Sequence, residues 1–190
     1  MVRSRTRPLT HATLVLLSAL GLGGVVIGAA TAPEFRDEEG RPVQLTDFRG
    51  HPVVATMAYT TCRRACPVTV AALQRLARSV AAKGETVEFV IVGFDPEKDD
   101  PQAWQDYREN HGIVGEHWHF LAGTEESTRR FGRQFGFSYW RVDEHVMHEQ
   151  RVVVLDGQGS FVGSDDRLSE AHLLELVQKA EQAGRASATN

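Results

Sequence analysis

Hydrophobic positions follow two periods along the chain, and together they predict alternating strands and helices. Continuous apolar runs of strand length indicate four buried strands, over 53–59, 87–94, 118–122 and 151–155. Apolar residues at helical spacing predict four helices, over 67–83, 102–110, 124–134 and 169–183. A turn at 156–159 pairs the fourth strand with another over 160–163. This order predicts an α/β domain with a central mixed sheet flanked by helices.

Local signals mark where the helices begin, end and face the core. Gly84 stops the first helix, Asp100 is predicted to cap the second, and a Thr–Glu capping pattern at Thr124 opens the third. The predicted apolar stripe of the first helix consists of Val68, Leu73, Leu76 and Val80.

Three segments carry weaker patterns. Residues 34–50 alternate briefly around Gly40, which predicts a small hairpin at the start of the domain. Residues 137–148 follow neither period, so we predict an irregular segment that leads into the next strand. After Gly184 the chain becomes small and polar, which predicts a disordered tail over 185–190.

The first 32 residues differ from the rest. Arg3, Arg5 and Arg7 precede an uncharged, mostly apolar run over 14–32. Such a run is either a secretory signal or a membrane anchor, and its length favours an uncleaved single-pass anchor. The basic flank stays on the cytoplasmic side, which predicts a domain held at the inner membrane and facing the periplasm.

Composition narrows the possible functions. The 190 residues are 42% hydrophobic and 24% charged, which is typical of a globular chain and leaves one domain over 33–184. The net charge of -4 gives no reason to expect nucleic-acid binding.

Cys62 and Cys66 are the chain's two cysteines, and Pro67 follows the second. They lie between a predicted strand and a predicted helix, so two sulfurs can meet one metal ion or each other. A helix N-terminus favours the thiolate, and Arg63 and Arg64 between the cysteines lower a thiol pKa further. A structural disulfide here would close a very short loop and constrain little chain entropy. In an oxidising compartment, a dithiol needs a reductant or a metal to stay reduced.

The order of these elements resembles the thioredoxin fold, with one more residue between the cysteines than thioredoxin has. From about 35 to 180 the sequence is similar to the SCO/SenC family, copper-binding assembly factors of cytochrome c oxidase. The motifs that carry the resemblance are Leu-Thr-Asp-Phe-Arg-Gly at 45–50, Tyr-Thr-Thr-Cys-Arg-Arg-Ala-Cys-Pro at 59–67, Asp-Pro-Glu-Lys-Asp-Asp-Pro at 95–101, Trp-His-Phe-Leu-Ala-Gly-Thr at 118–124 and a downstream histidine.

The resemblance implies a copper site made by Cys62, Cys66 and His148, with Asp95 in a supporting role that orients the loop or a ligand. Two thiolates suit Cu(I), and an added imidazole suits Cu(II) as well. Where the family usually has Asp-His-Ser, this chain has Met147-His148-Glu149. His145 competes with His148 for the ligand role, but the distance to the following strand favours His148.

The resemblance implies a membrane-tethered copper chaperone, which delivers copper to the binuclear site of cytochrome c oxidase or to another exported cuproprotein. Such a carrier needs no catalytic turnover. The alternative is a thiol–disulfide oxidoreductase that reduces the cysteines of an exported cuproprotein, with Cys62 and Cys66 as its redox-active pair.

Several other residues carry weaker hypotheses. Met147 could supply a thioether to Cu(I), although methionine near a strand more often fills a core. His117 and His119 alternate around Trp118 and favour a solvated face or an adventitious metal site. The aromatic pair Tyr139–Trp140 either docks a partner or packs on the sheet. The aspartate pair Asp99–Asp100 is expected to form a loop and a helix cap.

Overall fold

The computed structural model describes residues 34–62, 65–143 and 145–188. The predicted anchor or signal over 1–32 lies outside this part of the chain, as do Arg63 and Arg64. Within it, no helix is both long and apolar enough to cross a membrane.

Nine strands and four α-helices make up the described part of the chain. The strands are β1 (Phe35–Arg36), β2 (Pro42–Val43), β3 (Val53–Ala58), β4 (Glu88–Gly93), β5 (Trp118–Gly123), β6 (Tyr139–Val142), β7 (His145–His148), β8 (Val152–Leu155) and β9 (Phe161–Asp165). The helices are α1 (Ala65–Ala81), α2 (Pro101–Asn110), α3 (Glu125–Phe135) and α4 (Glu170–Ala188), with a 3₁₀ turn at Leu45–Phe48.

Seven of these strands form one mixed sheet in the order β2–β1–β5–β4–β3–β8–β9. The three central strands, β3, β4 and β5, run parallel, whereas β8 pairs antiparallel with β3 and β1 with β5. The predicted mixed α/β sheet is confirmed, and so is the hairpin at the start of the domain, formed by β1 and β2. Parallel strands place their carboxyl ends at one edge of the sheet, and the loop with the cysteines follows β3 there.

Side chains alternate across β3 and divide the core into two layers. Val54 and Ala58 face the cluster formed with α1, α2 and α4, whereas Ala55 and Met57 face the cluster formed with α3. Every residue of β3 is buried, as expected for a strand covered on both faces. This double cover makes β3 a rigid base for the cysteine loop.

The helix ends explain how the loops are held. Asp100 caps α2, as predicted, by accepting a hydrogen bond of 2.8 Å from the backbone N–H of Ala103. Thr124 caps α3, but its partner in the capping box is Ser127 and not a glutamate, so that detail of the prediction is wrong. Gly136 ends α3 in the left-handed conformation, at φ 72°.

Three further predictions are corrected by the structure. Val68 is exposed, because the buried stripe of α1 begins at Cys66 and continues through Val70, Leu73, Leu76 and Val80. α4 continues past Gly184 to Ala188, so the predicted disordered tail is wrong for 185–188. The segment 137–148 is not irregular: it contains β6 and β7, which pair antiparallel as a separate two-stranded sheet.

The pattern of this segment is hidden because only one face of the β6–β7 hairpin is covered. Tyr139 and Val146 pack inward, and Tyr139 lies 4.9 Å from Phe94 between ring centroids. The residues next to them along each strand, Trp140, His145 and Met147, are exposed, so aromatic, charged and aliphatic residues follow one another without a simple period. The hairpin carries His148 at the end of β7, close to the cysteine loop.

Candidate metal centre

Cys62 and Cys66 are brought together by the turn between β3 and α1. The backbone N–H of Cys62 donates to the carbonyl of Tyr59 at 3.1 Å, which curls the chain back after β3. Cys66 is the second residue of α1, and its backbone N–H donates to the Cys62 sulfur at 3.3 Å. Cys62 thus satisfies an N–H that the first turn of a helix leaves without an intrahelical acceptor. Both cysteines are buried, and neither forms a disulfide.

His148 reaches the same place from the β6–β7 hairpin. Its Nε2 lies 3.8 Å from the Cys66 sulfur, and its Nδ1 lies 3.1 Å from the carbonyl of Glu149. A carbonyl only accepts, so Nδ1 carries the proton and the lone pair of Nε2 faces the sulfur. The ring stacks on Phe94 at 4.7 Å between centroids, which holds its orientation.

The three residues predicted as ligands therefore converge. One ligand atom from each of Cys62, Cys66 and His148 lies within 4.8 Å of the other two. Among the described residues, no other three histidine, cysteine or acidic side chains bring ligand atoms this close. The donor set of two sulfurs and one nitrogen is soft and three-coordinate, which fits Cu(I).

The protonation of the group differs from the prediction for an activated thiol. A hydrogen bond with Cys62 and burial raise the pKa of the Cys66 thiol, so the predicted lowering is wrong at this residue. Burial lowers the pKa of His148, but hydrogen bonds with Cys62 and the Glu149 carbonyl outweigh it and leave that pKa raised. A soft metal ion that binds here must displace protons from the cysteines.

Asp95 acts on the hairpin and not directly on a ligand. Its Oδ1 accepts from Arg141 Nη2 at 2.8 Å, and Arg141 belongs to β6. Because the Asp95 carboxylate is almost fully buried, this pair fixes the hairpin to the loop after β4. The predicted supporting role stays a prediction, and this contact is its physical basis.

Asp99 holds the cysteine loop, a role that the sequence reading missed. Its Oδ1 accepts from the backbone N–H and the hydroxyl of Thr60 at 2.8 and 2.9 Å, and its Oδ2 accepts from the Asp95 N–H at 2.8 Å. Burial raises the pKa of Asp99 to about 6, although these hydrogen bonds lower it in part. The signal was present, since Asp95 and Asp99 are the two acids of the Asp-Pro-x-x-Asp motif.

Gly93 gives Asp99 the room it needs. A Cβ at residue 93 would lie 2.7 Å from the Cβ of Asp99, which is closer than carbon atoms approach. Glycine at the end of β4 therefore allows the acid to pass close to the strand and reach Thr60.

The other candidate residues lie away from this group. His145 and Met147 are exposed and lie on the face of β7 opposite to His148, so they do not join the three ligands. His117 and His119 lie at the other end of the sheet, where their Nδ1 and Nε2 atoms are 3.0 and 2.7 Å from the two oxygens of Glu88. Tyr139 packs against Phe94, whereas its neighbour Trp140 is exposed.

Comparison with known proteins gives the family. The SCO1/SenC family model matches residues 29–181, which is most of the chain. The chain belongs to the SCO1/SenC family. A SCO1 protein homologue of Bacillus subtilis is 27% identical over 93 residues, which are 49% of this chain and 48% of that protein. The match thus spans about half of the relative's length.

Solved structures of the family share the fold. BsSco, a member of the Sco family of cytochrome c oxidase assembly proteins in which a disulfide switch was identified, has a TM-score of 0.68 at 21% identity, covering 77% of this chain and 90% of that one. ScoI of Bradyrhizobium japonicum, solved with copper bound, has a TM-score of 0.65 at 17% identity, covering 79% and 98%. The thioredoxin-like fold predicted for the domain is the fold of these proteins.

Proposed function

We propose that this chain is a copper chaperone that binds one copper ion through Cys62, Cys66 and His148 and delivers it to the binuclear copper site of cytochrome c oxidase. The observation that carries the proposal is the convergence of three soft donors within 4.8 Å in a family of oxidase assembly proteins. Copper is the cargo here, and the copper-bound ScoI supports its choice. Two thiolates and one imidazole hold Cu(I) and leave room for a fourth donor from a recipient.

The proposal includes a location. We infer an inner-membrane protein whose N-terminal segment crosses the membrane once and whose domain faces the periplasm. The basic flank and the uncharged run over 14–32 support this orientation. The recipient is then the copper-receiving subunit of the oxidase, or another exported cuproprotein, on the same side of the membrane.

The test is copper loading of the full-length chain beside two matched histidine variants. We expect one tightly held copper per wild-type chain, with thiolate-to-Cu(II) absorption after oxidation. His148→Ala removes an inward donor and should weaken this copper by at least tenfold to a hundredfold. His145→Ala, three residues away on the outward face, should leave this copper unchanged. Full copper occupancy in a Cys66→Ser variant would contradict the proposal.

A second candidate function rests on the same two sulfurs. They form no disulfide and lie within 4.8 Å of each other, and the Cys66 N–H donates to the Cys62 sulfur, which is a geometry from which a disulfide can form. A thiol–disulfide oxidoreductase would keep the cysteines of an exported cuproprotein reduced, and BsSco has a disulfide switch. This function predicts disulfide exchange that needs no metal and survives His148→Ala. Little copper in the wild-type chain, together with rapid exchange, would favour it over the chaperone.

A further inference from the structure

The outward face of the β6–β7 hairpin carries donor groups that the cysteine site does not use. β7 alternates, with Val146 and His148 facing inward and His145 and Met147 facing solvent. Met147 is 47% exposed, and its cross-strand partner Trp140 is 52% exposed. A thioether, an imidazole and an indole therefore share one solvent-facing surface, immediately behind the strand that supplies His148.

Neither of the two potential ligand side chains on this face is held by another polar group in the described part of the chain. Among the described residues, no hydrogen bond or ion pair holds His145 or Met147. Exposed single hydrophobic residues are ordinary, but Met147, Trp140 and Val142 lie together on one face of an eight-residue hairpin.

The spacing allows both side chains to reach one ion. Residues two apart on a strand are separated by roughly 6.6 Å along it. A methionine sulfur and an imidazole nitrogen each extend several ångströms from their Cα atoms, so His145 and Met147 can meet between their positions. Trp140 lies directly across from Met147, with Cβ atoms about 5 Å apart in such pairs. Its ring can then cover a cation within about 6 Å.

We propose that His145, Met147 and Trp140 form a second soft-metal site, which binds Cu(I) or Ag(I) on the outward face of the hairpin. A thioether and a neutral imidazole select a soft monovalent ion over divalent ions that prefer oxygen. The site has no thiolate, so it holds the ion more weakly than Cys62 and Cys66 do. It uses the opposite face of β7 from His148, so both sites can be filled at once. It does not depend on copper delivery to any recipient.

Silver titration of the full-length chain tests this site, because Ag(I) has the ligand preferences of Cu(I) and does not change oxidation state. The chain has three methionines, Met1, Met57 and Met147, so ¹³C labelling of methionine methyl groups gives few signals. We expect two bound Ag(I) per chain, the second shifting the Met147 methyl signal and quenching Trp140 fluorescence. Trp104 and Trp118 are buried and serve as the unquenched background.

Two leucine variants provide the contrast. Met147→Leu should weaken the second Ag(I) by at least about tenfold and abolish the Trp140 quenching, because leucine keeps the size and removes the sulfur. Met57→Leu is the matched control in the core and should keep both ions. In Cys62→Ser/Cys66→Ser the first ion should be lost and the Met147 shift retained. Loss of the cysteine site would therefore remove the first equivalent of Ag(I), whereas loss of the hairpin site would remove the second.

Two results would overturn the inference. One is a wild-type chain that binds a single Ag(I) with no shift of the Met147 methyl signal. The other is a second Ag(I) whose affinity and quenching are the same in Met147→Leu as in wild type.

Discussion

The two ends of the central sheet both hold histidines next to buried acids, yet they are built for different purposes. At the cysteine end, where β3 and β4 finish, His148 faces the Cys66 sulfur, and Asp95 and Asp99 bind the surrounding loops. At the histidine end, where β4 and β5 begin, Glu88 itself binds both neighbouring imidazoles.

The contrast shows that the partner of an imidazole decides what the imidazole can do. Glu88 forms a hydrogen bond with one nitrogen of His117 and one of His119, so these rings cover the end of the sheet. Burial raises the pKa of Glu88, but hydrogen bonds with the two histidines outweigh it and leave the pKa lowered. At the cysteine end, Nε2 of His148 faces the Cys66 thiol, and burial raises the pKa of the nearby acid Asp99. Among the described residues, only the cysteine end brings three histidine, cysteine or acidic ligand atoms within 4.8 Å of one another.

The largest expected effect is on copper affinity. Cys66→Ser removes one of three soft donors, and we expect the affinity of the cysteine site for Cu(I) to fall by more than about a hundredfold, beyond what loss of a supporting residue costs. His119→Ala at the histidine end should leave that affinity within about twofold, because the imidazole is not a ligand. Competition with a chromophoric Cu(I) chelator measures both. Equal losses in the two variants would erase the contrast between the ends.

The second effect tests the pair that positions the hairpin. Arg141→Ala leaves the buried Asp95 carboxylate without its closest partner, which should lower the free energy of unfolding more than the control variant below does. His148 should lose its position, and Cu(I) affinity should fall by about tenfold to a hundredfold. Arg129→Ala removes an exposed pair with Glu125 and serves as the control, with a cost below about 1 kcal/mol. An Arg141→Ala chain with wild-type copper affinity would show that Asp95 has no supporting role.

The third effect belongs to the histidine end. Glu88→Gln replaces charge-assisted hydrogen bonds by neutral ones, with an expected loss of about 1–2 kcal/mol at pH 7. The pKa of Glu88 is lowered in the fold, so its stabilisation is present above the unfolded value and is lost as pH falls through the folded value. The difference between wild type and variant should therefore shrink below about pH 4. Urea unfolding at several pH values measures it, and a constant difference would contradict the argument.

The fourth and smallest effect is a stability that rises, instead of falling, as the pH is lowered. The pKa of Asp99 is raised to about 6, so the folded state takes up a proton before the unfolded chain does. Between pH 7 and 5, wild type should gain on the order of 1 kcal/mol relative to Asp99→Asn. The same unfolding series would detect it. A gain on raising the pH would mean that hydrogen bonds from Thr60 and Asp95, and not burial, dominate the ionisation of Asp99.

The sequence was informative where contacts are local or where a motif names its residues. Cys62 and Cys66 share one turn, and strand β3 beside them is apolar except for Thr56, so both can be predicted from residues that are neighbours in the sequence. His148 lies 82 residues from Cys66 and was accessible only through the family resemblance. Hydrophobic periodicity is a local signal and does not predict that such a distant residue lies at the site, since its position depends on the packing of the whole sheet.

Each prediction that is wrong has its own physical cause. The β6–β7 hairpin is covered on one face only, and its inward contacts are an ion pair and aromatic edges instead of an aliphatic stripe. The hydrophobic periodicity of the sequence therefore does not reveal this hairpin. Val68 was misassigned because its apolar character fits a helix stripe, whereas the core contact of α1 is set by Val70 one helical face away. Helix α4 extends past its predicted end because it continues through Gly184. A glycine inside a helix costs only about 1 kcal/mol relative to alanine.

The separation of the β6–β7 hairpin from the seven-stranded sheet has a consequence for how an ion leaves. Two of the three donors, Cys62 and Cys66, lie in the turn between α1 and strand β3, which the core covers on both sides. The third, His148, is held by the ion pair of its hairpin with Asp95 and by stacking on Phe94. The imidazole is therefore the donor that can withdraw without disturbing the core. In the proposed copper delivery, a recipient that offers its own sulfur can replace His148 first, while the two cysteines keep the ion in place. Such a sequence would pass the ion from one protein to the other without ever setting it loose in water.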